Sequence, residues 1–219
     1  MVVIENNSLS LSDVRHKLGN IILTGASGSG KSAIGQQIAK LLGLGFIDLD
    51  ELIEKASGKK IEEIFSTDGE LVFREYEAKL LSGLQNLRSH VIAVGGGALL
   101  SNDAMAMAQR IGPVVWIQSS AGEISRRLFR RISEIEKRPL FRDLVSEENH
   151  EMRREKIRER VQKMIDERGP WYSQADVVLD GSYVTPEMAA QHLKDILFSE
   201  GIIKTDRNRF SSSQKKGSL

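Results

Sequence analysis

The sequence predicts an α/β domain of three layers, in which a parallel β-sheet lies between two layers of helices. Five short apolar runs alternate along the chain with segments whose apolar residues recur at helical spacing. Continuous apolar runs are typical of strands buried on both faces, and parallel neighbours need a crossover that is usually a helix. The five runs are therefore expected to form one parallel sheet.

The composition is that of a single globular domain. The chain has 219 residues with no repeat and no long linker, which is enough for one core. Its 31 Lys plus Arg balance 30 Asp plus Glu, so the charge does not indicate a nucleic acid or a membrane as partner. Cysteine is absent, which excludes disulfides and thiolate metal sites. Residues 1–18 lack a targeting pattern and no apolar run approaches the roughly 20 residues of a membrane span, so we expect a cytoplasmic protein and take it to be a monomer.

The first apolar run, at residues 21–23, leads into residues 25–32, which read GASGSGKS and fit the phosphate-loop pattern. Helical apolar spacing follows, so the loop lies between a strand and a helix, as this motif requires. Its glycines let backbone N–H groups turn toward a phosphate, and the helix N-terminus favours the same anion. We expect Lys31 to reach the β- and γ-phosphates of ATP, and the Ser32 hydroxyl to bind Mg²⁺. The candidate nucleotide-binding residues are Gly28, Ser29, Gly30, Lys31, Ser32 and Ala33.

The second strand, at residues 46–47, runs into Asp48 and Asp50, and a helix is predicted from about 51 to 57. Residues two apart on a strand point to the same side, so both carboxylates can face one ligand. One can hold Mg²⁺ or its water, while the other can meet an acceptor hydroxyl. Alternatively Asp48, with Glu51 three residues later, is a helix cap, and the two roles can coexist.

Residues 60–88 predict two helices with a break at 67–69, and the third strand, at 90–94, runs into Gly95, Gly96 and Gly97. Arg74 and Glu77 lie three residues apart on the second helix. They form either a solvated surface pair or an arginine oriented by a carboxylate, and the spacing does not choose. The three glycines either let a substrate lie on the backbone or form a plain tight turn. Because carboxyl ends of parallel strands meet at one edge, the loops after the first three strands should converge.

The second half continues the alternation. We predict a helix at about 101–109, a strand at 113–117, a helix at about 121–131 and a polar stretch to about 149. A long charged helix follows from about 150 to Arg168, where Gly169 and Pro170 should end it. A strand at 175–179 and a helix at about 186–198 complete a domain placed at 19–202, between an N-terminal extension at 1–18 and a disordered tail at 203–219.

Basic residues crowd the polar stretch, and most of them are expected to be solvated. Arg138 is the exception, because the following Pro139 would fix it at a hinge. Arg168 at its helix end has a plain alternative role, the compensation of the helix dipole. The four histidines share no spacing, so neither a metal site nor a catalytic histidine is indicated.

Together these segments resemble the shikimate kinase family over nearly all of residues 21–198. The resemblance depends on GASGSGKS, FIDLDELIE, IEEIFSTDGELVFREYE, the GGGA after the third strand, RPLF and RGPWY. The long third motif and RGPWY are more diagnostic than the phosphate loop, which many kinases share. The resemblance implies the nucleoside monophosphate kinase fold, a P-loop kinase fold with strand order 2-3-1-4-5, a substrate-binding region at about 50–88 and a lid at about 131–150.

The same resemblance implies an activity and a role for each site residue. The activity is transfer of the γ-phosphoryl group of MgATP to the 3-hydroxyl of shikimate, in the biosynthesis of chorismate and the aromatic amino acids. The implied catalytic residues are Lys31, Asp50 and Arg138, of which Asp50 meets the substrate hydroxyls and Arg138 is the lid arginine near the nucleotide and the transferred phosphoryl. Ser32 and Asp48 are implied to hold Mg²⁺. The acceptor site is implied to comprise a clamp on the shikimate carboxylate and a backbone floor, with Glu77 in support: Arg74, Arg168, Gly95, Gly96 and Gly97.

Two departures from the family and three alternatives accompany this interpretation. The segments from Arg127 to Arg138 and from Arg138 to Arg168 are longer than the family pattern implies, and the terminal tails are atypical. A kinase for another polyol acid such as gluconate would share the scaffold, but Asp50 together with the two clamp arginines speaks against it. A non-catalytic nucleotide-binding relative would be expected to have lost part of this set. A GTPase switch would need an Asn-Lys-x-Asp sequence, which the chain lacks.

Overall fold

A computed structural model of the chain describes residues 19–129, 139–144 and 149–203. Five parallel strands form one sheet in the order β2-β3-β1-β4-β5. The strands are β1 (Ile21–Thr24), β2 (Gly45–Asp48), β3 (His90–Ala93), β4 (Val114–Gln118) and β5 (Val177–Asp180). The predicted fold class and strand order are confirmed.

Helices connect these strands on both sides of the sheet. They are α1 (Lys31–Leu42), α2 (Leu49–Ser57), the single turn α3 (Ile61–Glu63), α4 (Glu70–Gly83), α5 (Asn102–Ile111), α6 (Ala121–Phe129), α7 (His150–Tyr172) and α8 (Pro186–Ser199). A π-helical turn (Ile64–Asp68) joins α3 to α4, and 3₁₀ turns cover Leu84–Asn86 and Pro139–Leu144. In the part of the chain that the structure describes, no helix is long and apolar enough to span a bilayer.

The core divides between the two faces of the sheet. Ile21 and Leu23 of β1 face one side, where they pack in a cluster with residues of α1 and α8. Ile22, between them, faces the other side and packs with residues of α2, α4 and α5. These three side chains are fully buried, and burial of such a side chain stabilises the fold by about 1.5–3 kcal/mol. A third cluster packs α6 against α7 and includes Ala26 of the loop that follows β1.

Two element boundaries differ from the sequence prediction in ways that affect the site. Helix α2 begins at Leu49, so Asp50 lies in its first turn and not on the strand; the period-two argument for Asp48 and Asp50 was wrong. Helix α7 does not end at Gly169 and Pro170 but continues to Tyr172, with Ser173 N donating to Gly169 O at 2.9 Å. Pro170 removes only one donor, and the buried Tyr172 holds the extra turn against the sheet.

Several predictions lie outside the described residues. These are the N-terminal extension, Arg138 with most of the predicted lid, and residues 204–219. Ile203 is described and buried, and its N–H donates to Leu197 O at 2.9 Å, so the compact part of the chain includes it. The cytoplasmic location and the monomeric state stay predictions.

Candidate active site

The phosphate loop joins β1 to α1 in a conformation that only glycine adopts easily. Gly25, Gly28 and Gly30 have φ values of 138°, 87° and 102°. A methyl group on Gly25 would also lie 2.6 Å from Ile117 O, so this position admits no side chain. Gly30 caps α1 without a side chain, so no capping side chain competes with an anion for the N-terminus of this helix.

The predicted nucleotide-binding residues lie around one cavity of about 440 Å³. Gly28, Gly30, Lys31, Ser32 and Ala33 all line it. Ser29 does not, because its side chain is buried and its Oγ lies 3.3 Å from where a Gly25 methyl group would be. Only the backbone of Ser29 is therefore placed to contribute to phosphate binding.

Lys31 folds back over the phosphate loop. Its Nζ donates to Gly25 O at 2.8 Å and to Ala26 O at 3.0 Å. These carbonyl bonds hold the ammonium group beside the loop, where an incoming phosphate would offer it stronger, charge-assisted partners.

Ser32 and Asp48 form a pair of oxygen groups on the cavity wall. The Ser32 hydroxyl donates to Asp48 Oδ2 at 2.5 Å, while Asp48 Oδ1 accepts from Asp50 N at 3.0 Å and caps α2. Asp48 is therefore both a helix cap and a cavity residue, the combination that the sequence left open. A hydroxyl and a carboxylate fit Mg²⁺, which takes one or two protein ligands and completes its shell with phosphates and water. Among the described residues, no group of three His, Asp or Glu could hold a metal ion.

On the acceptor side, charged side chains lie against the three glycines after β3. A methyl group on Gly95 would lie 2.6 Å from Glu77 Oε1 and 3.1 Å from Asp50 Oδ1, and one on Gly97 would lie 2.6 Å from Arg74 Nη1. A methyl group on Gly96 would lie 3.4 Å from Arg168 Nη1.

This close approach explains why the three residues are glycines. None of them has a positive φ, so backbone conformation alone would not require glycine here. The stretch is therefore more than a tight turn, since it brings together side chains from α2, α4 and α7.

The middle glycine of the three, Gly96, also lies against the phosphate loop. A methyl group on Gly96 would lie 3.0 Å from Gly25 O and 3.3 Å from Ser27 N. The loops after β1 and β3 are therefore in direct contact, and Asp50, in the first turn of the helix that follows β2, lines the same cavity as Lys31. The predicted convergence of the first three loops is present in the structure.

Arg74 is held by two carboxylates. Its Nη1 lies 2.8 Å from Glu77 Oε2 and its Nη2 lies 2.9 Å from Glu70 Oε1. Burial opposes the charge on Arg74, but the bonds to Glu77 and then Glu70 outweigh it and raise the pKa of the guanidinium. The Glu77 side chain is 4% exposed, against 63% for Glu70. Of the two sequence interpretations, the structure favours an arginine oriented by a buried carboxylate.

Burial raises the pKa of Glu77, although the adjacent Arg74 works in the opposite direction. Its Oε2 is bonded to Arg74, whereas its Oε1 is buried and has no hydrogen-bond partner among the described residues. This oxygen lies beside the Gly95 backbone and faces the same glycine as Asp50.

Sequence reasoning missed Arg127, which the crowd of basic residues concealed. Its Nη1 donates to Ser29 O at 2.9 Å and its Nη2 to Gly181 O at 2.6 Å. Arg127 therefore ties the phosphate loop to the loop between β5 and α8, and it lines the cavity. The expectation that such residues are merely solvated was wrong for Arg127. The available signal was Glu123 one turn earlier, which forms an ion pair with its Nε at 2.9 Å.

Tyr172 was also missed. It is 1% exposed and its hydroxyl donates to Gly96 O at 2.6 Å. Arg168 Nη1 donates to the same carbonyl at 3.1 Å. The sequence signal was the RGPWY motif. The predicted helix ended at Arg168, however, so the prediction did not place Tyr172 on the same helix as Arg168.

Comparison with known proteins identifies one family. A family model described as shikimate kinase matches residues 27–197. A shikimate kinase of Thermodesulfovibrio yellowstonii is 36% identical over 174 residues, which cover 80% of this chain and 92% of that protein. A shikimate kinase of Chlorobium limicola is 39% identical over 157 residues, covering 72% and 75% of the two chains.

Solved structures agree with these sequence matches. Shikimate kinase from Acinetobacter baumannii in complex with shikimate has a TM-score of 0.75 at 27% identity, covering 87% of this chain and 98% of that one. Shikimate kinase from Bacteroides thetaiotaomicron has a TM-score of 0.71 at 29% identity, covering 82% and 98%. Fold, site composition and relatives lead to one conclusion: the chain belongs to the shikimate kinase family.

Proposed function

We propose that this protein transfers the γ-phosphoryl group of ATP to the 3-hydroxyl of shikimate and releases shikimate 3-phosphate and ADP. One observation carries the proposal. Two arginines and a carboxylate, Arg74, Arg168 and Asp50, surround a glycine floor that touches the phosphate loop directly. A small acceptor with a carboxylate and several hydroxyls is the chemistry that such a set would bind.

The nucleotide occupies the cavity beside α1. Its phosphates lie on the N–H groups of the loop and of the α1 N-terminus, next to Lys31. The cavity continues past Arg127 to Tyr183, Thr185 and Pro186. The nucleoside binds against this part of the cavity wall. Ser32 and Asp48 would hold Mg²⁺, which supplies charge neutralisation for the phosphate oxygens.

The acceptor binds on the other side of the phosphate loop. Its carboxylate accepts paired, charge-assisted hydrogen bonds from Arg74 and Arg168. Glu77 holds Arg74 in place before the substrate arrives, so little of the binding free energy is lost in reorganising the clamp. Asp50 accepts a hydrogen bond from a substrate hydroxyl and so directs the attacking oxygen toward the nucleotide. The role of Arg138 stays a prediction, since this residue lies outside the described part of the chain.

Phosphoryl transfer requires positioning and charge stabilisation more than covalent chemistry from the protein. Lys31 stabilises the negative charge that develops on the transferred group. The clamp fixes the acceptor relative to that group, because the Gly96 backbone touches both the clamp and the phosphate loop.

A coupled ADP-release assay on the purified protein tests the proposal. Shikimate, quinate, gluconate and nucleoside monophosphates are compared as acceptors at equal MgATP. Shikimate should give the highest kcat/KM, with the product identified as a monophosphate ester by mass. Equal rates for shikimate and gluconate would show that the acceptor assignment is wrong.

A further inference from the structure

The carbonyl group of Gly96 accepts two hydrogen bonds from one helix. Tyr172 donates its hydroxyl at 2.6 Å and Arg168 donates Nη1 at 3.1 Å. The two donors are four residues apart on α7 and so lie on the same face of that helix. The shorter bond comes from the residue that is nearly inaccessible to water, at 1% exposure.

We infer that Tyr172 is a positioning residue for the acceptor clamp, because it holds the Gly96 carbonyl when Arg168 leaves that carbonyl to bind the acceptor carboxylate. The inference rests on the proposed function, in which Arg168 binds shikimate. Without an acceptor, Arg168 and Tyr172 share the carbonyl. With an acceptor, the guanidinium finds a charged partner and, of the two described donors, Tyr172 keeps Gly96 O bonded.

The surroundings of Tyr172 suit a donor that stays in place while its neighbour moves. Its ring packs on Trp116 with centroids 5.7 Å apart, and the last turn of α7 continues past Pro170 to carry it. Burial raises the pKa of the Tyr172 phenol, although the nearby Arg168 opposes this, so the hydroxyl keeps its proton at any working pH. Arg168, in contrast, is a long side chain whose position depends on its partners.

The position of Gly96 gives this bond a consequence for catalysis. A methyl group on Gly96 would lie 3.0 Å from Gly25 O and 3.3 Å from Ser27 N of the phosphate loop, so the carbonyl that Tyr172 holds belongs to a residue that lies between the acceptor clamp and that loop. Without the Tyr172 hydroxyl, the Gly96 carbonyl would keep only its hydrogen bond from Arg168. Arg168 would then leave this carbonyl less readily to bind the acceptor. Acceptor binding would weaken first, and nucleotide binding would change little.

Tyr172→Phe tests the inference, because it removes one oxygen and keeps the ring against Trp116. The KM for shikimate should rise about three- to thirtyfold, as expected for one lost hydrogen bond, while kcat falls less and the KM for ATP changes less than about twofold. Ser199→Ala is the control, because it removes a hydroxyl that donates to a backbone carbonyl, Ile196 O at 3.1 Å, at the C-terminal end of α8, and it should leave both KM values unchanged.

A double-mutant cycle separates this inference from the proposed function. If Tyr172 acts through Arg168, Tyr172→Phe should have little further effect on the shikimate KM in an Arg168→Ala background. An equal effect in both backgrounds, or none in the wild-type background, would overturn the inference. Arg168→Ala alone reports on the proposed function, which would fail if the shikimate KM did not change.

The midpoint of thermal unfolding is measured on the same preparations. It should stay within about 5 °C of the wild type for Tyr172→Phe. A larger fall together with an equal loss of affinity for both substrates would assign Tyr172 a purely structural role and overturn the inference.

Discussion

The two halves of the site are built by different means. The nucleotide half is a continuous stretch of backbone, residues 25–33, whose shape depends on glycines with positive φ and on one strand-to-helix junction. The acceptor half is assembled from α2, α4, the turn after β3 and α7, and its chemistry belongs to charged side chains. A local backbone motif can serve many kinases, whereas a set of side chains from distant segments selects one acceptor. Substitutions in the two halves should therefore affect different kinetic parameters.

Lys31→Ala should have the largest effect, because in the proposed mechanism Lys31 lies where negative charge develops during transfer. We expect kcat to fall by roughly a hundredfold or more with an unchanged unfolding midpoint, because the side chain faces the cavity and not the core. Lys40→Ala, an exposed lysine on the same helix, is the control and should retain full activity. Steady-state kinetics with both substrates measure the change. Near-normal turnover of Lys31→Ala would remove this residue from the mechanism.

Substitutions in the clamp should come next and should affect the acceptor alone. Arg168→Ala and Arg74→Ala should each lower kcat/KM for shikimate by roughly ten- to a hundred-and-fifty-fold, since each removes a charged hydrogen-bond partner. The KM for ATP should hardly change, and lysine at either position should restore only part of the loss. Arg160→Ala is the control, because Arg160 lies on the same helix as Arg168 but is paired with Asp143 at the surface. An unchanged shikimate dependence in both variants would show that neither arginine binds the acceptor.

Arg127→Ala should affect the nucleotide and not the acceptor, and its effect should be smaller than that of the clamp substitutions. It removes the tie between the phosphate loop and the β5–α8 loop, so the KM for ATP should rise about three- to thirtyfold while the KM for shikimate stays constant. Arg126→Ala removes an adjacent and more exposed arginine as the control. If Arg127→Ala raises the KM for ATP and the KM for shikimate equally, Arg127 does not act on the nucleotide half alone, and this prediction is wrong.

The smallest effect should be a pH dependence of stability from Glu77. Because burial raises its pKa, the folded protein holds this proton more tightly than the unfolded chain. Between the ordinary carboxyl pKa and the raised value, the free energy of unfolding should therefore fall as pH rises. Glu77→Gln removes the titration, so the wild type should lose stability relative to this variant across that window, by about 1.4 kcal/mol for each unit of pKa shift.

Urea unfolding at a series of pH values measures this difference. If the free energy of unfolding changed with pH in the same way for the wild type and Glu77→Gln, folding would not change the pKa of Glu77.

The halves also differ in how far the sequence predicts them. The phosphate loop, the order of strands and helices, and the convergence of three loops follow from local patterns. The prediction that Asp50 and Arg74 belong to one acceptor site depended on the family resemblance, because no sequence spacing shows that α2 and α4 come together. Two specific errors had physical causes. Asp48 caps α2 one residue before Leu49, which takes Asp50 off the strand, and a buried tyrosine extends α7 past a proline that would otherwise end it.

The contacts of Arg127 and Tyr172 were missed for a related reason. Both act on backbone carbonyls of residues far away in the chain, 98 residues for Arg127 to Ser29 and 76 for Tyr172 to Gly96. Carbonyl groups leave no trace in a sequence pattern, so such contacts are visible only once the chain is folded.

The preference for shikimate over its carboxamide tests the central claim most directly, namely that two arginines select the acceptor by its carboxylate. The two compounds share their ring and hydroxyls and differ in the charge that the clamp would bind. The wild type should prefer shikimate in kcat/KM by roughly ten- to a hundred-and-fifty-fold, and Arg168→Ala should lose most of that preference. A preference that is absent in the wild type, or that persists undiminished in both Arg168→Ala and Arg74→Ala, would contradict the account.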